Sequence, residues 1–202
     1  YHAQQVYGKQ PEYLLSYPAF KNEPALFFRY YKENLISLDA KPNPAHIALA
    51  KWEQAGKLQA VITQNIDGLH QAAGSQNVFE LHGSNWRQYC VDCGKRFDLA
   101  YIAASEGIPK CDRCGGTVRP DVVLYNETLN NAVVQGATEA IANAEVLLVG
   151  GTSLAVYPAA GLLHYFRGSH LVLINKSVTA RDRDAQLVIH DAIGKVLSAV
   201  NL

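Results

Sequence analysis

The chain has 202 residues, of which 49% are hydrophobic and 18% are charged. This length and apolar content can bury one sizeable core, which excludes a disordered tail or a mini-protein. Lys and Arg together number 18, as do Asp and Glu, so the formal net charge of +0 favours neither nucleic acid nor an anionic membrane surface. No apolar run approaches the roughly 20 residues that cross a bilayer, and we expect a soluble cytoplasmic protein.

The first part of the chain predicts a helical lobe over residues 11–42. Aromatic residues cluster between Pro18 and Pro42, and the spacing of Leu26 and Tyr30 is typical of short helices. We expect these helices to pack through their aromatic rings.

From Pro44 onward, helices and strands alternate. The predicted helices are 44–56, 132–144, 158–166 and a last one ending at Val200, and the predicted strands are 58–63, 77–81, 145–150, 170–175 and 187–190. This alternation is typical of a parallel sheet covered by helices on both faces. The predicted fold class is therefore α/β, with a doubly wound, Rossmann-like parallel sheet built from residues 1–10, 43–84 and 121–202.

The segment 85–120 interrupts this alternation and contains all four cysteines of the chain. Cys90 and Cys93 form one C-x-x-C pair, and Cys111 and Cys114 form a second one after the 17 residues 94–110, a spacing expected of a four-thiolate zinc site. Two disulfides are the alternative, but nothing in the sequence suggests secretion. Four thiolates leave no open coordination position, so we predict a small inserted module with a structural zinc ion.

Polar and small residues follow several predicted strands, where a doubly wound sheet binds its ligands. The residues 64–67 follow the first strand, and His82 follows the second. The residues 151–153 could cradle a phosphate with their backbone N–H groups, and Asn175 could bind a ribose hydroxyl. Taken singly, these residues are explained as well by an Asx turn or a structural histidine, and the G-x-G-x-x-G fingerprint is missing.

Taken together and in order, the motifs resemble the sirtuin family of NAD-dependent protein-lysine deacylases. They are Thr63-Gln-Asn-Ile-Asp-Gly-Leu-His70, Glu80-Leu-His-Gly83, the paired C-x-x-C module, Arg119-Pro-Asp-Val-Val-Leu-Tyr-Asn-Glu127, Gly151-Thr-Ser-Leu154, Tyr157-Pro-Ala-Ala-Gly161 and Ile174-Asn175. The resemblance extends from about Pro11 to the C-terminus.

The resemblance implies a deacetylase that uses NAD, contains zinc, and acts on acetylated lysine in proteins or peptides. Its products would be nicotinamide, deacetylated lysine and O-acetyl-ADP-ribose. His82 would be the base that deprotonates a ribose hydroxyl, a task suited to a neutral histidine, and Asn65 would act beside it. The implied NAD contacts are Gln64, Asn65, Ile66, Asp67, His82, Gly151, Thr152, Ser153, Asn175 and Ile193. The implied peptide contacts are Val122, Val123, Leu124, Glu127, Leu154 and Val156.

Three features depart from the family's pattern or refine it. The family's Gly-Ala-Gly-x-Ser turn and Asp-Phe-Arg loop have no counterpart in these residues, and we expect them upstream of Tyr1. Asn126 stands where the family usually has Gly, and Asn tolerates the left-handed conformation. Glu33 stands where succinyl- or malonyl-specific members place Arg, so we expect neutral acyl groups, although Lys32 is adjacent.

Other functions compete with this interpretation. A sirtuin-like mono-ADP-ribosyltransferase would share the NAD site, but it has less need of His82 as a base. A zinc-containing nucleic-acid-binding or scaffold module is disfavoured by the zero net charge, and a dehydrogenase by the missing fingerprint. We therefore expect no nucleic-acid or membrane partner.

Overall fold

A computed structural model describes residues 6–152, 154 and 157–200. Contacts divide the chain into two compact units. The first unit contains the residues up to Ala40, Asn65–Gly68 and His82–Leu129; the second contains Lys41–Gln64, Leu69–Leu81 and the residues from Asn130 onward. The finer division into lobe, module and sheet stays a prediction. Among the described residues, no helix is both long enough and apolar enough to span a membrane.

The described helices and strands follow one another along the chain as mixed α/β structure. The α-helices are α1 Pro11–Leu14, α2 Tyr17–Asn22, α3 Pro24–Leu35, α4 Pro44–Gln54, α5 Leu69–Ala72, α6 Leu99–Ala104, α7 Asn131–Asn143 and α8 Ile193–Ser198. The strands are β1 Val61–Thr63, β2 Val78–Glu80, β3 Gly83–Cys90, β4 Arg96–Phe97, β5 Val118–Val122, β6 Val146–Gly150, β7 His170–Ile174 and β8 Leu187–Ile189. Two short 3₁₀ helices cover Ala159–Tyr165 and Asp182–Asp184.

The first unit is built on an aromatic core, as the sequence predicts. Phe20, Phe27 and Phe28 contact one another edge to face, and Tyr31 stacks on Phe27 with the ring centroids 6.0 Å apart. Buried apolar residues of the cysteine module, including Ile102, pack against these rings. The helical lobe and the cysteine module therefore share one core.

The sheet of the first unit is antiparallel, with β3 between β4 and β5. The pairing of β3 with β5 shifts register between Ser84 and Gln88. β3 advances four residues here while β5 advances one, from Asp121 to Pro120, and such a bulge or irregularity redirects side chains of the longer strand. The strand that follows His82 is thus regular at both ends and bulged in the middle.

The second unit contains the parallel strands and confirms the α/β class. Strand β1 pairs in parallel with β2, and β7 lies between β6 and β8 in a second parallel sheet. Helix α7 packs through Ala137 and Ile141 against the apolar residues around β1 and β2. Helices α4 and α8 pack around Ile174 of β7 through Ala45, Leu197 and their apolar neighbours.

Two predicted elements differ in extent or type. The strand predicted over 58–63 begins only at Val61, because the N–H groups of Lys57 and Leu58 donate to the carbonyl of Trp52 and close the end of α4. The helix predicted over 158–166 is a 3₁₀ helix, in which Gly161 donates to the carbonyl of Pro158. A proline and a glycine three residues apart both lower α-helical propensity.

Gly83 allows β3 to start next to β5. It has a φ of +78°, and a Cβ at this position would lie 2.1 Å from the backbone oxygen of Asp121. Gly107 also has a positive φ, of +56°, but a Cβ there would meet no atom within 4 Å in the part of the chain that the structure describes. Gly83→Ala should therefore lower the free energy of unfolding by about 1–3 kcal/mol more than Gly107→Ala, the typical cost of overpacking. Denaturant unfolding of both variants measures this difference, and equal losses would contradict it.

Candidate functional site

The four cysteine sulfurs converge in the first unit. They all lie within 4.8 Å of one another, with Cys90 and Cys114 at 3.5 Å and Cys93 and Cys111 at 3.6 Å. A disulfide needs about 2.05 Å, so these are separate thiols. Four sulfurs about 2.3 Å from a tetrahedral zinc ion would lie about 3.8 Å apart. The predicted ligands therefore fit a zinc ion in both chemistry and spacing.

Tight turns aim the two pairs of sulfurs at one point. The Gly94 N–H donates to the Cys90 carbonyl at 3.0 Å, and the Gly115 N–H donates to the Cys111 carbonyl at 2.8 Å. Both glycines have positive φ values, +69° and +76°, which glycine adopts without a steric penalty. Gly116 is required for a different reason, because a Cβ there would lie 2.9 Å from the Cys90 sulfur.

The sulfurs share negative charge unequally when no cation neutralises them. Burial raises the pKa of Cys90, but hydrogen bonds from the backbone of Cys93 and Asp92 outweigh it and bring this pKa to about 7. A backbone hydrogen bond at Gly116 lowers the pKa of Cys114, but the neighbouring thiol groups raise it to about 12. A divalent cation would relieve this mutual repulsion.

The loop Asn65–Gly68 and His82 both belong to the first unit. The Asn85 N–H donates to the Ile66 carbonyl at 2.9 Å, and the Trp86 indole N–H donates to the Asp67 carbonyl at 2.7 Å. His82 is half-buried directly before β3, and its carbonyl accepts a hydrogen bond from the Val123 N–H at 2.9 Å. The backbone at these predicted site residues is therefore held by β3 and by the residue that follows β5. Gln64, which precedes the loop, belongs to the second unit.

A second group of predicted site residues meets at the carboxyl ends of β6 and β7. The Asn175 side chain accepts from the Thr152 N–H at 3.1 Å and donates to the Thr152 carbonyl at 2.6 Å. Ile193 packs so closely on Gly150 that a Cβ there would lie 2.3 Å from its methyl carbon. Gly151 has a φ of +66°, and no atom of the described residues lies within 4 Å of its Cβ position. Gly151 therefore leaves room beside the turn, while the N–H groups of Gly151, Thr152 and Leu154 donate to the Ile174 carbonyl, the Asn175 side chain and the Thr152 hydroxyl.

The segment after β5 is fixed by a buried ion pair. The two terminal guanidinium nitrogens of Arg119 donate to the Glu127 carboxylate, at 2.7 and 2.8 Å, and the Leu124 N–H donates to the same carboxylate at 2.9 Å. Burial opposes ionisation of Glu127, but Arg119 and the Leu124 N–H hold its pKa below the usual range. Arg119, only 5% exposed, was not predicted as a site residue, although it begins one of the motifs that carry the family resemblance.

The structure also describes the backbone at Asn126 and at most of the predicted peptide-contacting residues. Asn126 has a φ of +72°, so Asn does adopt the left-handed conformation here, as expected. Leu154 also has a positive φ, of +55°, and its N–H donates to the Thr152 hydroxyl at 3.2 Å. Val122 ends β5 as a buried residue, and Val123 follows it. Ser153 and Val156 lie outside the described residues.

The two residues at the position expected to select acyl groups both have structural partners. The three N–H groups of the Lys32 ammonium match three hydrogen bonds, to the carbonyl and hydroxyl of Ser105 and to the carbonyl of Gly107. Burial lowers the pKa of Lys32. Glu33 accepts hydrogen bonds from the Tyr7 hydroxyl and from Arg29. The Lys32 ammonium therefore makes all of its three possible hydrogen bonds to the 105–107 loop.

The chain is similar to known proteins in both sequence and fold. A model of the Sir2 family matches residues 1–158. A protein of Clostridium acetobutylicum described as an NAD-dependent protein deacetylase is 59% identical over 201 residues, covering 99% of this chain and 82% of its own length. A solved structure of Sir2 with a p53 peptide and NAD⁺ is 36% identical, covers 96% of this chain and 86% of its own, and superposes with a TM-score of 0.85. A Sir2 variant with a deacetylated p53 peptide and 3'-O-acetyl-ADP-ribose is 37% identical, covers 95% and 80%, and has a TM-score of 0.88.

The cysteine geometry leads to a prediction about metal content. Freshly purified protein should contain about one equivalent of zinc, and a chelator should lower its thermal unfolding midpoint, because a structural zinc site contributes folding free energy directly. Restoring the midpoint by adding zinc back is the control for chelator damage. Metal-free protein with an unchanged unfolding midpoint would contradict the prediction.

Proposed function

The chain belongs to the Sir2 family and is an NAD-dependent protein deacetylase, and we propose that the two groups of residues described above carry its reaction. Its substrates are NAD and acetylated lysine in proteins or peptides, and its products are nicotinamide, deacetylated lysine and O-acetyl-ADP-ribose. The observation that carries the assignment is 59% identity to a described deacetylase over 99% of the chain. Zinc in the cysteine module has a structural role, because four thiolates leave no open coordination position.

We assign the nicotinamide half of NAD to residues 64–67. Asp67 and the backbone of Ile66 hold the carboxamide, while Gln64 and Asn65 contact the reacting ribose. This assignment is supported by the fixed backbone of the loop, where the carbonyls of Ile66 and Asp67 both accept hydrogen bonds from β3. A rigid loop keeps a catalytic geometry without an ordering cost at each turnover.

We assign the phosphate and adenosine half of NAD to the turn after β6 and its neighbours. These residues are Gly151, Thr152, Ser153, Asn175 and Ile193. Support comes from the free space beside Gly151, where a Cβ would meet no described atom within 4 Å. The Asn175 amide adds to it, because its two hydrogen bonds fix the conformation of Thr152. An amide has a second N–H, so Asn175 can hold the turn and still offer a donor.

His82 is proposed as the base. NAD supplies the ribose carbon that accepts the acyl oxygen and the nicotinamide that leaves. The task of His82 is to remove the proton from a ribose hydroxyl, for which a neutral imidazole nitrogen is suited near pH 7. Its position is supported by the Val123 hydrogen bond to its carbonyl and by the start of β3 at Gly83.

The acetylated peptide is proposed to bind as an extended strand. Its contacts are Val122, Val123, Leu124, Glu127, Leu154 and Val156. Backbone pairing of this kind gives affinity with little sequence selectivity. The Arg119–Glu127 pair supports the assignment, because it holds the segment after β5 in one conformation before any peptide arrives.

A cytoplasmic location is also proposed, since four cysteines that form no disulfide suit a reducing compartment.

His82→Ala tests the assignment of the base. We expect deacetylation of an acetylated peptide to fall by about 10²–10⁴-fold, the typical loss when a general base is removed, while NAD still binds. Mass spectrometry of the peptide and of O-acetyl-ADP-ribose measures the rate, and His170→Ala, at an exposed histidine, is the matched control. Near-normal turnover of His82→Ala would remove this residue from the role. ADP-ribose attached to a protein acceptor by the wild type would instead favour the transferase alternative.

Acetyl-lysine should be preferred over succinyl-lysine. Glu33 is an acid, and the Lys32 ammonium is already bonded to Ser105 and Gly107, so neither offers a partner to a succinyl carboxylate. Desolvation of an unpaired carboxylate costs several kcal/mol, which predicts a kcat/KM ratio of at least about tenfold in favour of acetyl. Steady-state kinetics with the acetylated and the succinylated form of one peptide measure this ratio of kcat/KM values. A faster succinyl reaction would show that a cation faces the acyl group.

A further inference from the structure

The bulge in β3 contacts the loop that is assigned to nicotinamide. We propose that Asn85 and Trp86 are positioning residues that fix the Asn65–Gly68 loop for NAD, without touching NAD themselves. This inference rests on the proposed role of Asp67 in holding the carboxamide. Both residues lie where β3 shifts register against β5, between Ser84 and Gln88.

Asn85 lies at the centre of a buried hydrogen-bond network. Its side-chain oxygen accepts from the Tyr31 hydroxyl at 2.7 Å, and its side-chain nitrogen donates to the Leu35 carbonyl at 2.7 Å. Its backbone N–H donates to the Ile66 carbonyl at 2.9 Å, and its carbonyl accepts from the Gln88 side chain at 2.5 Å. Asn85 is only 5% exposed. The network therefore connects the end of α3 and the loop through a single residue.

Trp86 holds the next peptide unit of the loop. Its indole nitrogen donates to the Asp67 carbonyl at 2.7 Å. Its ring lies against Gly68, where a Cβ would be 2.5 Å from the ring carbon Cδ1. Asn85 holds the Ile66 carbonyl, in the peptide before Asp67, and Trp86 holds the Asp67 carbonyl, in the peptide after it, so both peptide planes that flank the Asp67 Cα are restrained. The orientation of the Asp67 side chain relative to the loop is thereby set.

A purely structural role explains Trp86 poorly. The side chain is 50% exposed and belongs to none of the buried apolar clusters among the described residues. A large aromatic residue is normally retained for the area that it buries. Here its one polar atom is directed at the carbonyl of a site residue. Its effect should therefore be seen in NAD binding more than in stability.

Trp86→Phe is the decisive variant, because phenylalanine keeps a ring against Gly68 and removes only the N–H donor. We expect KM for NAD and the inhibition constant of nicotinamide to rise about 3- to 10-fold, the effect of one lost hydrogen bond, with KM for the acetylated peptide and the melting temperature unchanged. Trp52→Phe makes the same chemical change on α4 in the second unit and is the matched control. Asn85→Ala should also raise KM for NAD, but it should lower the melting temperature because its side-chain bonds to Tyr31 and Leu35 are lost.

Two outcomes would overturn the inference. In one, Trp86→Phe has the same NAD and nicotinamide constants as Trp52→Phe. In the other, peptide KM and melting temperature worsen together with KM for NAD, as a general loss of structure would cause.

A binding measurement separates this inference from the deacetylase assignment. The chain has two tryptophans, so its NMR spectrum contains two indole N–H signals, and Trp52→Phe assigns the one from Trp86. Added NAD should shift that signal, and an unchanged signal at saturating NAD would overturn the inference. A wild-type protein that binds NAD with this shift but does not deacetylate would refute the function and leave the positioning role in place.

Discussion

The pairing of β3 with β5 is the constraint on which the first unit depends. Gly83 pairs with Val122 at one end and Cys90 pairs with Val118 at the other, so a single eight-residue strand separates the proposed base from the first metal ligand. Because the strand is anchored at both ends, its bulge cannot slide. The two residues in the bulge that reach the 65–68 loop therefore keep their register.

Buried polar groups give this unit its specificity, and each has a partner that matches its chemistry. Arg119 is held by Glu127 and lies 5.0 Å from the centre of the Phe20 ring, so its charge is satisfied where water is largely absent. Asn85 is satisfied in the same way by neutral partners. Removing one member of such a group leaves the other buried and unsatisfied. The resulting loss of stability is larger than the net stability that the intact group contributes.

The zinc module and the parallel sheets are stabilised by different means. In the second unit, buried alanine, leucine and isoleucine side chains of helices and strands form continuous apolar clusters. The cysteine module has short elements and open turns, and the convergence of four sulfurs substitutes for a core of its own. Its apolar residues instead join the aromatic side chains of α2 and α3, so metal binding and lobe packing are expected to be coupled.

The sequence alone was sufficient for features that depend on local spacing. The C-x-x-C pairs, the aromatic lobe and most parallel strands follow from neighbours in the chain, since hydrophobic period and ligand spacing are local properties. The ordered motifs also identified the family.

Tertiary structure alone decided the partners of residues far apart in sequence. The bonds of Lys32 to the 105–107 loop, of Asn85 to Tyr31 and of Trp86 to Asp67 join residues separated by 19 to 75 positions. No local pattern encodes them, because each depends on how the chain returns to itself around a shared core.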